Sequence, residues 1–265
     1  MMTTDSMSTA RTGGLFDLTG KVAIITGSTR GIGRAIAERF VEQGALVVIS
    51  SRKASACEEV ANAINERDPG KAIAIPANIS SKEALQNLVA ETRRAYGHID
   101  ILVCNAASNP YYGKQLDIPD DAFRKILENN IIANNWLIQM VAPEMRERKD
   151  GAIIVISSIG GLKGNETIGA YCISKAADMQ LARNLARELG PFNIRVNCIA
   201  PGLVKTDFAR ALWETPTAEA NYSAAVALGR LGVPDDLAGV AIYLASRAGA
   251  WTTGQTIVVD GGTVC

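Results

Sequence analysis

The chain has few of the residues that build metal sites or disulfide frameworks. It contains one histidine, His98, which without companions cannot form a metal site. The cysteines are odd in number and widely spaced, which argues against both a disulfide framework and a cysteine-based metal site. Reduced thiols are typical of cytoplasmic proteins, so we expect a cytoplasmic protein without a bound metal. The cysteines are Cys57, Cys104, Cys172, Cys198 and Cys265.

The chain also lacks net charge and long apolar stretches. Basic and acidic residues number 27 each, so no overall field attracts nucleic acid or an anionic membrane. No run approaches the roughly 18 apolar residues that a membrane span needs. Residues 1–14 are rich in Ser, Thr and Gly and contain no apolar signal segment. We therefore expect a disordered lead-in at 1–17 and one globular domain at 18–265.

Short apolar segments alternate with longer segments of helical period along that domain. Most of the short segments are apolar throughout, which is typical of strands covered on both faces. The alternation predicts an α/β fold: a single-domain Rossmann-type doubly wound parallel sheet of about seven strands with helices on both faces. The predicted strands are Lys21–Thr26, Ala45–Ser50, Lys71–Pro76, Asp100–Cys104, Ala152–Ser157, Ile194–Ile199 and Thr256–Val259. The predicted helices include Gly33–Gly44, Ser81–Tyr96, Asp120–Arg148 and Ile168–Leu189.

A glycine-rich turn, residues 26–33 (TGSTRGIG), connects the first predicted strand to a helix. Glycines at such a turn let the backbone approach a pyrophosphate, which then faces the helix N-terminus. The turn predicts a dinucleotide site, and a tight turn without a ligand is the alternative.

The charges near the second strand indicate which dinucleotide binds. An NAD site needs a carboxylate there to accept from the ribose 2′-hydroxyl, but no acidic residue lies between residues 42 and 58. Ser51 and Arg52 follow the strand, and a guanidinium suits a 2′-phosphate. Arg30 in the glycine turn is expected to add a second cation. These charges favour NADP(H), with NAD(H) still possible; the alternative is that Arg52 and Lys53 merely begin an exposed helix.

Tyr171 and Lys175 are four residues apart and therefore share one face of a predicted helix. A free phenol has a pKa near 10. An ammonium about 4 Å away contributes up to roughly 4 kcal/mol at an effective dielectric of about 20. We expect it to lower the phenol pKa by as much as about two to three pH units, into the range of general acid/base catalysis. The alternative is a core aromatic beside a solvated lysine.

The Gly-x-x-x-Gly-x-Gly spacing of the turn, with Tyr171 and Lys175, resembles the short-chain dehydrogenase/reductase family. The resemblance extends over essentially all of residues 21–263. It implies hydride transfer between a nicotinamide cofactor and a carbonyl or alcohol carbon. The segment from Gly254 to Gly262 resembles the C-terminal ending of the family, which implies a homotetramer or homodimer.

The resemblance also implies a catalytic set of four residues. Ser158 would bind the substrate oxygen, Tyr171 would act as the acid/base, and Lys175 would tune it. Asn130 would anchor a water that leads from the lysine to solvent. Ser157 and Asn129 are the neighbouring alternatives for the serine and the asparagine.

Most of the cofactor contacts implied by the resemblance lie in the turns after five strands, and Tyr171 and Lys175 lie on the predicted helix Ile168–Leu189. Asn78 stands where relatives often carry an Asp that meets the adenine ring, and Ala107 replaces a family glycine in the turn that begins at Asn105. The expected contacts are Gly27, Ser28, Arg30, Gly31, Ile32, Gly33, Ser51, Arg52, Asn78, Asn105, Ala106, Tyr171, Lys175, Pro201, Gly202, Val204 and Thr206.

Residues 203–233 have weak period and scattered aromatics, so we expect a substrate lid there, with an ordinary surface excursion as the alternative. Candidate pocket residues, among them Phe208 and Trp213, are apolar and favour a hydrophobic ketone, aldehyde or secondary alcohol, although Trp213 could instead lie in a subunit interface. Two stretches, residues 109–113 (NPYYG) and 211–213 (ALW), resemble carbonyl/retinal reductases of the family.

Two other functions remain open. A 3-oxoacyl thioester reductase would use cations at the pocket mouth, for which Lys163, Lys205 and Arg210 are candidates. A non-catalytic NADP-sensing regulator is the alternative from another functional class.

Overall fold

The computed structural model describes residues 14–265, so residues 1–13 of the expected lead-in lie outside the described part. Residues 14–17, also assigned to the lead-in, are described. The Leu15 carbonyl accepts a hydrogen bond from the Ala248 amide at 3.0 Å.

The seven strands form one sheet in the order β3-β2-β1-β4-β5-β6-β7, and every pairing is parallel. The predicted doubly wound parallel sheet is confirmed, with strand ends shifted by one or a few residues. The strands are β1 Val22–Thr26, β2 Leu46–Ser50, β3 Ala72–Ala74, β4 Ile101–Cys104, β5 Gly151–Ile156, β6 Ile194–Pro201 and β7 Thr256–Val259.

Helices cover both faces of the sheet, which explains why its central strands are apolar throughout. Ile25 of β1 packs with the helices of one face and Ile24 with those of the other. The first face carries α1, α2 and α8, and the second carries α3, α5 and α6. The helices are α1 Gly31–Glu42, α2 Ala54–Arg67, α3 Lys82–Tyr96, α4 Asp120–Leu127, α5 Ala133–Arg148, α6 Gly169–Leu189, α7 Pro216–Ala224 and α8 Ala238–Ala245. None of the helices in residues 14–265 is long and apolar enough to cross a membrane.

The prediction of one continuous helix over Asp120–Arg148 is wrong, because the segment forms two helices. A π-helical turn, Glu128–Ile132, separates α4 from α5 and contains the buried Asn129 and Asn130. Such turns occur frequently at functional sites, because the extra residue changes the direction of the side chains.

The order in which successive strands are added across the sheet reverses between β1 and β4, which are neighbours in the sheet although two strands separate them in sequence. In open α/β sheets a ligand crevice forms at the carboxyl ends of the strands at this point. The segment 203–233 is at the same edge of the sheet. It contains a 3₁₀ helix, Asp207–Leu212, and α7, and Val204 pairs with Gly232 at its base.

Candidate active site

The glycine turn packs too tightly for side chains. Gly27 and Gly31 have φ values of +66° and +57°, which are unfavourable for other residues. A Cβ on Gly33 would lie 2.4 Å from Asn105 Nδ2 and 2.6 Å from the Gly27 carbonyl oxygen. The Asn105 amide also donates to the Thr26 carbonyl oxygen at 2.8 Å. Asn105 therefore ties the turn after β4 to the turn after β1.

The first turn of α1 is suited to an anion. Arg30, at the N-cap, gives no side-chain hydrogen bond to the helix, and the first turn contains no acidic residue. The amides that begin the helix, including those of Ile32 and Gly33, thus have no side-chain cap and a favourable dipole. This end of α1 fits the pyrophosphate of a dinucleotide.

Ser28 has a structural role in the turn. Its hydroxyl donates to the Ile25 carbonyl at 2.7 Å and accepts from the Ser50 amide at 2.9 Å. Its own amide donates to the Ser50 carbonyl. The side chain is buried and links β1 to β2. The hydroxyl of Ser28 is therefore already engaged and is not free for the cofactor contact predicted from sequence.

Two exposed cations follow β2. Within residues 14–265, neither Arg52 nor Lys53 has a carboxylate within 4 Å, although 15 ion pairs occur elsewhere. Lys53 is also the N-cap of α2, so a helix does begin here, as the alternative interpretation of these two cations expected.

Ser51 is half-buried, and its hydroxyl lies 3.3 Å from the Cys57 thiol. The exposed Asn78 uses its side-chain oxygen to accept from the Ser80 amide.

Arg30, the second cation expected at the 2′-phosphate, has a carboxylate partner. Its guanidinium lies 3.1 Å from Asp207, which also pairs with Arg210. Arg30 therefore joins the glycine turn to segment 203–233. A 2′-phosphate beside Arg30, as predicted from sequence, would share this exposed guanidinium with Asp207 or displace Asp207.

Ser158, Tyr171 and Lys175 meet at the carboxyl end of β5. The competing Ser157 is buried and donates to the Lys175 carbonyl at 2.8 Å, so its hydroxyl is engaged within the protein. The half-buried Ser158 is the second residue after β5, and its hydroxyl accepts from the Gly160 amide at 3.0 Å. The Lys175 ammonium lies 5.6 Å from the centre of the Tyr171 ring.

The expected fall in the Tyr171 pKa is wrong for the chain alone. Burial raises the pKa of the phenol above its ordinary value, while the Lys175 charge and a hydrogen bond with Ser158 oppose the rise. The Asp178 carboxylate adds to the rise. The ammonium of Lys175 is visible in the sequence, whereas the burial of the phenol and the nearby Asp178 charge depend on the fold.

Lys175 has a buried partner that the sequence analysis missed. Its ammonium donates to the Ile156 carbonyl at 2.9 Å and to Asp178 Oδ2 at 3.0 Å. Asn134 Nδ2 donates to the other Asp178 oxygen at 3.2 Å and to the Asn130 carbonyl at 2.6 Å. A signal was available, because an Asp three residues after a Lys lies on the same helix face.

Asn130 is completely buried in the π-helical turn. Its side chain donates to Ser174 Oγ at 3.0 Å and to the Ser108 carbonyl at 3.1 Å. Ser174 in turn donates to the Tyr171 carbonyl at 2.7 Å. Asn130 is thus joined to the helix of the tyrosine, whereas the neighbouring Asn129 bonds to Ser80 and Ser108.

The segment after β6 lies beside the glycine turn. A Cβ on Gly31 would approach the Thr206 methyl group to 3.2 Å, and one on Gly202 would lie 2.8 Å from the Asp260 Cα. The Phe208 ring centre lies 6.0 Å from that of Tyr171. The other expected contacts are at the same edge: Ala106 donates its amide to Thr26, Pro201 ends β6, and Val204 is buried.

Three comparisons relate the chain to known proteins. A family model described as Enoyl-(Acyl carrier protein) reductase matches residues 27–264. The chain is 41% identical over 245 residues to dehydrogenase/reductase SDR family member 4 of Oryctolagus cuniculus, which covers 92% of this chain and 94% of the relative.

Two solved structures superpose on the chain with a TM-score of 0.89. One is a short-chain type dehydrogenase/reductase from Mycobacterium marinum, 35% identical, with 95% of this chain and 98% of that chain covered. The other is a 7α-hydroxysteroid dehydrogenase complexed with NADH and 7-oxo glycochenodeoxycholic acid, 39% identical, with 94% and 96% covered.

Proposed function

The chain belongs to the short-chain dehydrogenase/reductase family and is an oxidoreductase, and on that premise we propose that it transfers a hydride between NADP(H) and a small hydrophobic ketone, aldehyde or secondary alcohol. The observation that carries the proposal is the cluster of Ser158, Tyr171 and Lys175, which lies at the same edge of the sheet as the uncapped N-terminus of α1.

Each residue of the cluster has one role. A bound nicotinamide would supply or accept the hydride. Ser158 orients the substrate oxygen toward the Tyr171 phenol, which donates its proton to that oxygen in reduction and accepts one in oxidation. Lys175 stabilises the phenolate that this transfer leaves. Asn130 anchors the route by which the proton is replaced.

Arg52 and Lys53 support NADP(H) as the preferred cofactor, because they are exposed cations at the end of β2 that have no carboxylate partner among residues 14–265. The related hydroxysteroid dehydrogenase was solved with NADH, so NAD(H) is the competing cofactor to be tested.

The Arg52→Asp variant should lower the ratio of kcat/KM for NADPH over NADH by about one to two powers of ten. A charge-assisted hydrogen bond contributes about 1–3 kcal/mol, and the new carboxylate would repel the 2′-phosphate. Initial rates with each cofactor measure the ratio. Arg67→Asp, at the exposed C-terminal end of the following helix α2, is the control and should leave the ratio unchanged. An unaltered ratio in Arg52→Asp would remove this residue from the site.

Aromatic and ionic contacts of segment 203–233 support an apolar substrate. Phe208 lies next to Tyr171 and is 55% exposed, so it has area to offer a substrate. Lys205 pairs with Glu219 and Arg210 with Asp207, so two of the three cations considered for an acyl thioester already have partners. We therefore prefer a free hydrophobic carbonyl to a 3-oxoacyl thioester.

The Phe208→Ala variant should lower kcat/KM for apolar ketones by about 10- to 100-fold. Burial of a Phe side chain contributes about 1.5–3 kcal/mol, and each 1.4 kcal/mol is about tenfold in affinity. A series of ketones of increasing apolar size should show the largest loss for the largest member. Trp251→Ala, a fully exposed aromatic after α8, serves as the comparison. Equal losses in both variants would contradict contact between Phe208 and the substrate.

The substrate class is tested with a panel of ketones, aldehydes, secondary alcohols and acetoacetyl thioesters, followed by NADPH absorbance with NADH in parallel. Turnover confined to thioesters would overturn the proposed substrate class.

We further propose that residues 203–233 form the lid, as part of a single catalytic domain in a homodimer or homotetramer. Protease protection of this segment by NADPH and sedimentation velocity test the two statements.

A further inference from the structure

Lys175 and Asp178 form an ion pair that is almost completely removed from solvent. Their side chains are 2% and 0% exposed, and the ammonium nitrogen lies 3.0 Å from Asp178 Oδ2. Among residues 14–265, this is the only carboxylate within 4 Å of Lys175. The second Asp178 oxygen accepts from Asn134 of α5, so both oxygens have partners.

The groups around the pair are neutral. Cys104 of β4 and Cys198 of β6 face it, and burial raises the pKa of both thiols, that of Cys198 to about 12. Tyr171 lies one helical turn before Lys175, and burial raises its pKa also. In this setting Asp178 supplies the negative charge that offsets the cost of burying the ammonium.

The pair also defines where the ammonium can donate. An ammonium has three N–H groups. One donates to the Ile156 carbonyl and one to Asp178. The remaining group is therefore available in one direction only.

We propose that Asp178 is a positioning residue for the acid/base pair: its carboxylate keeps Lys175 charged and directs the one remaining N–H of its ammonium. This inference rests on the proposed function. Asp178 itself touches neither substrate nor reacting atoms; it acts through Lys175.

The proposal predicts the direction in which the pKa of Lys175 changes when the carboxylate is removed. Burial alone lowers the pKa of Lys175, but Asp178 and Tyr171 raise it, so that its pKa in the native chain lies above the ordinary lysine value. In Asp178→Asn the carboxylate contribution is lost while the burial stays. Lys175 should then lose its proton at lower pH, and the alkaline limit of turnover should move in the same direction.

The direct test is an NMR titration of the lysine 13Cε resonances in the chain without cofactor, with Lys175 assigned by its absence in Lys175→Met. The Lys175 midpoint should fall by about 1–3 pH units in Asp178→Asn. Asp178→Glu keeps the charge and should restore most of the midpoint. Asp100→Asn is the matched control, because Asp100 is a buried aspartate at the opposite end of the sheet, bonded to the Val22 amide.

The second test is the pH profile of kcat for the three variants. The alkaline limb should move to lower pH in Asp178→Asn alone, with a larger change in kcat than in KM. Profiles that differ from the native one only by a uniform factor would overturn the proposal, as would an unchanged Lys175 midpoint. If Asp178→Asn does not fold, a native Lys175 midpoint below the ordinary lysine range overturns it. Absence of turnover in the native chain, with the NMR shift present, would instead contradict the proposed function.

Discussion

Replacing Tyr171 with phenylalanine should lower kcat by about 10²–10⁴-fold, since that is the usual contribution of a positioned general acid/base. The phenol is the proton donor beside Ser158 and Lys175, and phenylalanine keeps the ring that packs near Phe208. Binding of NADPH and the cooperativity of unfolding should change little. Steady-state rates, NADPH fluorescence titration and chemical denaturation measure the three properties.

The control for this variant is Tyr243→Phe. Tyr243 is also a half-buried tyrosine, and its hydroxyl lies 2.6 Å from Thr252 Oγ1 in a part of α8 that carries none of the proposed catalytic residues. It should lose a little stability and keep its turnover. If Tyr171→Phe retained native rates, the proposed mechanism would be wrong at its central step.

Replacing Lys175 with methionine should lower the free energy of unfolding by about 3–5 kcal/mol, in addition to abolishing turnover. The reason is Asp178, which would be left as an unpaired buried carboxylate. Burial raises the pKa of this carboxyl, and Lys175 and Asn134 oppose that rise in the native chain. Without Lys175, the folded-state pKa must rise further above the value in the unfolded chain.

The pH dependence of stability follows from the higher pKa of Asp178 in the folded state. Such a group stabilises the folded state fully at pH values below its unfolded-state pKa. This stabilisation is lost as the pH rises through the folded-state pKa. The stability deficit of Lys175→Met should therefore shrink toward acid pH. Urea denaturation of the variant and the native chain, at about pH 8 and about pH 5, measures the deficit.

The double variant Lys175→Met/Asp178→Leu separates stability from catalysis. Replacement of a whole buried ion pair by apolar residues is often neutral for stability, so most of the lost free energy should return. Turnover should stay absent, because the ammonium is still missing. A double variant as unstable as the single one would show that Asp178 is not a buried charge.

The sequence predicted the sheet well because the relevant information is local. Alternation of apolar strands with helical segments requires only neighbouring residues, and so does the glycine spacing that begins α1. The break at Glu128–Ile132 was missed, because the turn contains no glycine or proline to mark it and its buried residues are the polar Asn129 and Asn130. The position of Asn130 beside Ser174 depends on that turn and on packing against α6.

The charges show where local information ends. Arg30 was predicted to add a second cation beside the 2′-phosphate, and nothing in the sequence indicated its partner Asp207, which is 177 residues away. Tyr171 was predicted to have a lowered pKa from the charge of Lys175, but burial and the Asp178 carboxylate raise it. The catalytic roles of Asn130, Ser158, Tyr171 and Lys175 stay predictions until the variants are measured.

By itself the sequence determined the fold class, the glycine turn, and the spacing of Tyr171 and Lys175, since each of these is written in residues close together along the chain. Only the tertiary structure decided which charges are neutralised and which are free. The physical reason is that the strength of a charge depends on burial and on partners that the folded chain brings from distant elements.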